Sequence, residues 1–196
     1  MPTKGKKLTA EELAEKVAEL EKENTQLRNK EDDYGIRLDE YIEVMSLIPY
    51  RLNLSTEKLG RGRTFSFSRF GEVKRILYND LASIFENYRT FMEEGYFYIL
   101  NERVIRKHGL DDVYSKILNK EKMEKIVACD PKVAVKFYES ATKAQRETID
   151  GMLIEELKNG EPDLNIVAQI SKIGGKDLIK LAEEARQLEA VTTKTS

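Results

Sequence analysis

The chain has 196 residues, 40% of them hydrophobic and 35% charged, with a net charge of −2. The charged share is well above the roughly 25% of an ordinary soluble domain and points to long helices washed by solvent. The near-neutral balance excludes a uniformly basic, polyanion-coating protein. One Cys and one His exclude a disulfide framework and an intrachain Cys/His zinc site, and no apolar run approaches the roughly 18 residues of a membrane span.

Residues 1–8 read as a disordered tail. Met1-Pro2-Thr3-Lys4-Gly5-Lys6-Lys7 is basic but has no apolar segment behind it, so a secretory signal is not expected. With Cys129 unpaired, the reading is a cytoplasmic protein or one of a particle assembled there. A helix start follows. Thr9 with Glu12 three residues on has capping-box spacing, and Leu8 with Leu13 matches a hydrophobic staple.

The next stretch predicts a coiled-coil helix over 9–48. Leu13, Leu20, Leu27, Tyr34, Tyr41 and Ile48 fall at d of a heptad, and Val17, Asn24, Glu31, Leu38 and Met45 fall at a. The first three heptads are the most regular, whereas Gly35 lowers helix propensity and marks a break or hinge. Asn24 at an a position would fix register and favour two parallel strands. Lys16 at g would then face Glu21 at e of the partner, and Glu23 would face Arg28. Leu13, Val17, Leu20, Asn24 and Leu27 are the expected seam of a parallel homodimer. The competing reading is an amphipathic helix packed on its own domain.

Pro49 ends that helix. From 49 to 190 the pattern predicts one compact α-rich domain with a small β element. Leu52 and Leu54, then Phe65 and Phe67, alternate with polar residues and read as two short strands. Gly60-Arg61-Gly62-Arg63 between them reads as a hairpin tip. Residues 96–100 would add a third strand to it. Beyond these, helices are expected from Asn79 to Glu94, after Asn101 up to His108-Gly109, from Asp111 or Asp112, from Asn119 to Cys129, and from Asp130-Pro131 to Lys158 with a break at Gly151. Two more follow, from Leu164 to Ile173 and from Lys176 or Asp177 to about Leu188. Residues 191–196 read as a disordered tail. The fold class is thus mainly α: an N-terminal coiled-coil helix, a small β-hairpin or sheet, and a C-terminal helical domain.

One block is clearly basic. Residues 51–78 carry seven Lys and Arg against two acids. Lys58, Arg61, Arg63, Arg69, Lys74 and Arg75 crowd Phe65, Phe67 and Phe70, a mixture that can neutralise phosphates and stack on bases. The plainer reading is a solvated hairpin whose phenylalanines point inward. The Gly-Arg-Gly-Arg run lacks the ending of a phosphate loop. His108 suits a helix C-terminus, where a cation meets the dipole favourably, and Cys129 reads as a buried structural thiol. The paired acids read as solvated faces or helix starts. No catalytic set, cofactor or metal is expected.

Leu52-Asn53-Leu54-Ser55-Thr56, Phe67-Ser68-Arg69-Phe70-Gly71-Glu72-Val73-Lys74 and Gly95-Tyr96-Phe97-Tyr98-Ile99-Leu100 together resemble uncharacterised proteins of tailed bacteriophages. The resemblance covers residues 45–120 and implies a phage setting, as a virion component or a host-interaction factor, with no catalytic residue to carry over. The expected function is a non-enzymatic, self-associating structural or adaptor protein. Its expected partners are itself and other proteins, with no membrane. The alternative is a nucleic-acid-binding regulator using the hairpin at 58–75.

Overall fold

The computed structural model describes residues 10–29 and 33–192. The chain is mainly helical with a small antiparallel β element. Helix α1 spans Ala10–Asn29. The expected cap at Thr9 and staple from Leu8 lie outside the described residues.

The coiled-coil expectation over 9–48 is corrected in its second half. Gly35 turns the chain at φ 66°, and Tyr41–Ser46 forms strand β1. Ile42, Val44 and Ser46 are all fully buried. A strand's two-residue period puts these three on one face, whereas a helix would scatter them. The heptad spacing at Tyr34, Leu38, Tyr41, Met45 and Ile48 is therefore coincidental. Tyr34, Leu38 and Tyr41 are exposed, and Ile48 is buried in the core of the following domain. That domain starts before residue 49, because Ile36 already belongs to its core.

Strands β2 (Leu52–Ser55) and β3 (Thr64–Phe67) form the expected antiparallel hairpin, with Leu52 opposite Phe67 and Leu54 opposite Phe65. Strand β4 (Val73–Leu77), which the sequence pattern does not reveal, pairs with β1 and sets Ile76 opposite Ile42. Strand β5 (Phe97–Ile99) takes the other edge of β1. The third strand thus completes a separate sheet, in the order β4-β1-β5, rather than extending the hairpin. Its Phe97 and Ile99 join Ile42 and Val44 in one core cluster.

The helices follow their caps. The segment expected as one helix from Asn79 to Glu94 is two, α2 (Tyr78–Asn87) and α3 (Arg89–Glu93), parted where Tyr88 has φ −126°. The Asn101 side chain accepts from the Arg103 and Val104 amides at the start of α4 (Glu102–Lys107), and Gly109 follows it at φ 60°. Helix α5 is Asp111–Lys116. Asn119 caps α6 (Lys120–Ile126), and Asp130 followed by Pro131 opens α7 (Pro131–Ser140). The expected run to Lys158 breaks at Ala141 and not at Gly151. Thr142 accepts from the Gln145 amide and starts a new helix, α8 (Lys143–Asn159), with Gly151 inside it. Helix α9 (Leu164–Gly174) ends on left-handed Gly175, and α10 (Leu178–Thr192) runs past the expected stop at Leu188.

Two apolar clusters result. One gathers the sheet, the hairpin's inner face and α2 to α4; the other gathers α6 to α10 around Met123, Ile126, Leu153 and Ile170. The first half of α8 joins them. Thr142 donates to the Glu94 carbonyl at 2.6 Å, and Thr148 to the Leu47 carbonyl at 3.2 Å. Gln145 holds both the amide and the carbonyl of Leu118, at 3.0 and 2.7 Å. A buried polar group is tolerated when its partners are present, and here those partners lie on both sides of the junction.

Candidate interaction surfaces

Helix α1 presents the expected d residue Leu20 and a residue Val17 to solvent, at 50% and 52% exposure. Every side chain described on this helix is exposed, so no part of the chain covers that apolar stripe at the described positions. The side chains of Leu13, Asn24 and Leu27, also expected on the seam, lie outside the described ones. Thr25 returns its hydroxyl to the Glu21 carbonyl at 2.7 Å, the usual outlet for a hydroxyl within a helix.

The basic residues come from three parts of the chain. Lys58, Arg61 and Arg63 lie at the hairpin tip, Arg69 in the following loop, and Lys74 and Arg75 on β4 of the other sheet. Arg63 is ion-paired with Asp80. Lys74 meets Glu72 at 3.4 Å and lies over the Phe67 ring, while Arg75 lies over Tyr41. Glu72 is held in its charged form chiefly by the Ser68 amide. Among the described residues, Lys58, Arg61 and Arg69 are left without a carboxylate. Phe67 is buried, Phe65 half-buried, and Phe70 packs on the second core cluster. Of the three aromatics only Phe67 is fully turned inward.

The tip has an unusual backbone. Lys58–Gly60 forms a short 3-10 turn in which Leu59 takes φ 63° and ψ 26°, a region that disfavours side chains. Gly60 and Gly62 follow with φ 73° and 72°. Leu59 is 91% exposed.

His108 is a packed residue. Its Nε2 is 2.9 Å from the Tyr78 hydroxyl and its ring stands 4.3 Å from that of Phe85. Cys129 is half-buried, and burial pushes its thiol up, away from the reactive thiolate. Among the described residues no group of three or more His, Cys, Asp or Glu is gathered to hold a metal, and no helix is long and apolar enough to cross a membrane.

Sequence reasoning missed one surface. A groove of about 450 Å³ opens beside α8, floored by Pro49, Phe70, Val127 and Met152 and rimmed by Glu124, Glu155 and Glu156. Gly151 lies in its floor, where a Cβ would point at Pro49 from 3.8 Å. Glycine in the middle of a 17-residue helix was the available signal, since it costs about 1 kcal/mol relative to Ala. Against protein-family models, curated proteins and solved structures, the chain finds no match.

Proposed function

We propose that this protein is a non-enzymatic structural or adaptor protein that self-associates through α1 and acts by protein contacts. The observation carrying this is the half-exposed pair Val17 and Leu20, on a helix whose described side chains are all exposed. A polar-rich 20-residue helix gains most of its stability by burying such a stripe. The heptad spacing supplies a second copy as the cover, and the g-to-e pairs Lys16–Glu21 and Glu23–Arg28 favour a parallel one. The phage setting implied by the resemblance, in the virion or the infected cytoplasm, belongs to the same proposal.

Cysteine cross-linking tests the arrangement. In a Cys129→Ser chain, Leu20→Cys at d is expected to oxidise to a covalent dimer, because d residues of parallel strands meet their own copies. Glu19→Cys, on the outer face, is the control. Equal cross-linking at both positions would contradict the seam. The nucleic-acid alternative draws less support. Two of its six cations are already ion-paired, and Phe67 is buried.

A further inference from the structure

Two surface features are not explained by packing within the chain. The first is Leu59. Strained backbone persists where its surroundings impose it, and here they do. Ser55 Oγ bonds the Arg61 carbonyl, Thr56 Oγ1 accepts the Arg63 amide at 3.0 Å, and Asn87 donates to the Thr56 carbonyl at 3.0 Å. The tip is pinned with an apolar side chain held out in water. Lys58 and Arg61 flank it and outnumber Glu57, whose side chain folds over Gly62.

The second is the groove beside α8. Its lining is apolar at Pro49, Phe70, Val127 and Met152, with Gly151 among them. Its rim is acidic. Glu124 meets Lys120 at 3.6 Å, and Glu155 shares Lys158 with Glu189. Among the described residues, Glu156 has no cation. Carboxylates therefore outnumber lysines around the opening.

We propose that the hairpin tip of one copy seats in this groove of a second copy. Leu59 would lie against Phe70, Val127 and Met152, and Lys58 and Arg61 would meet Glu124 and Glu156. Tip and groove complement each other in polarity and in charge, and one chain supplies both. Leu59 at 91% exposure is not held by its own groove. Two different patches meet, so the contact is head-to-tail unless a twofold seats both tips reciprocally. It is separate from the α1 seam and would extend α1 dimers into larger arrays. A tip this small falls short of a standard interface, so the contact is weak between single chains, and paired copies strengthen it by presenting two tips and two grooves at once.

Mixed-isotope cross-linking tests it. Full-length chains labelled with light and heavy nitrogen are mixed at high concentration. A zero-length carbodiimide then joins lysine amines to touching carboxylates, and the digest is read by mass spectrometry. Lys58 is expected linked to Glu124, Glu155 or Glu156, in peptide pairs with one light and one heavy arm. Leu59→Gly keeps the left-handed backbone and removes the anchor. It is expected to melt no lower than wild type and to cut the cross-link yield about tenfold, as for loss of a modest interface anchor. Absence of these links, links that never mix isotopes, or a yield unchanged in Leu59→Gly would overturn the proposal.

Discussion

The hydroxyl of Thr148, in the first half of α8, is shared between the carbonyl of Leu47, 101 residues earlier, at 3.2 Å and that of Ala144 in its own helix at 3.1 Å. This contact lies where the sheet cluster meets the helical cluster, and with the paired bonds from Gln145 to Leu118 it ties α8 to both sides of the junction. Thr148→Val preserves shape and removes the donor, so it should destabilise the chain by about 1–2 kcal/mol. Gln145→Leu leaves both the amide and the carbonyl of Leu118 unpaired and should cost about 2–4 kcal/mol. Urea unfolding followed by circular dichroism measures both. A single transition is expected in wild type, and the Gln145 variant is the one in which it would split.

Asp150 is the second buried junction. It accepts from the Tyr138 hydroxyl at 2.9 Å and from Lys176 at 2.6 Å, and its side chain is 6% exposed. It thereby ties the loop after α9 to α7 and α8. Asp150→Ala should cost about 2–4 kcal/mol, because it strands a buried hydroxyl and an ammonium. Lys176 is half-exposed, so Lys176→Met should cost no more than about 1 kcal/mol. Thermal melts of the two variants should rank in that order.

Stability should fall on the alkaline side. Burial pushes the hydroxyls of Tyr114 and Tyr138 well above the ordinary tyrosine value, with Asp150 adding to the effect at Tyr138. A raised value in the folded state means the unfolded chain loses these protons first. Their contribution is therefore fully present below about pH 10, the unfolded value, and is lost as pH rises beyond it. Tyr114→Phe removes one such group and gives up the bond its oxygen accepts from the Ile99 amide at 3.0 Å. It should be less stable than wild type at pH 7 and show a shallower decline above pH 10 in urea titrations.

The hairpin tip gives a test in the opposite direction. A left-handed leucine costs roughly 1–2 kcal/mol, while glycine costs about 0.5–1 kcal/mol in unfolded-chain entropy. Leu59→Gly should thus leave stability unchanged or raise it by up to about 1 kcal/mol. Leu59→Val, branched at Cβ, should lower it. Differential scanning calorimetry distinguishes the two.

The sequence showed the fold where a residue had a local job. Asn101, Asn119 and Asp130-Pro131 mark helix starts because their side chains satisfy free amides beside them. The β2–β3 hairpin shows in its alternation. Strand β1 was hidden because Leu38, Tyr41, Met45 and Ile48 also fit a four-three spacing, although Ile42, Val44 and Ser46 alternate in the same window. Strand β4 carries Lys74 and Arg75 and buries only Ile76 fully, too weak a pattern to read. The break at Ala141 had a signal in Thr142 and Gln145, the two ends of a capping box. Gln145 instead turns its side chain to Leu118. The groove left one local mark, Gly151 inside α8, while Phe70, Val127 and Met152 meet only after folding.

The central claim is that α1 is covered by a second copy. Sedimentation equilibrium on the full chain and on a Val17→Asp, Leu20→Asp variant tests it most directly. Both sites are exposed, so the domain after α1 should keep its fold, while α1 loses helicity along with its partner. Wild type is expected at a multiple of 22.6 kDa and the variant at a single chain or shifted strongly toward it. A wild-type chain that stays monomeric over the whole concentration range, or a variant that assembles as wild type does, would contradict it.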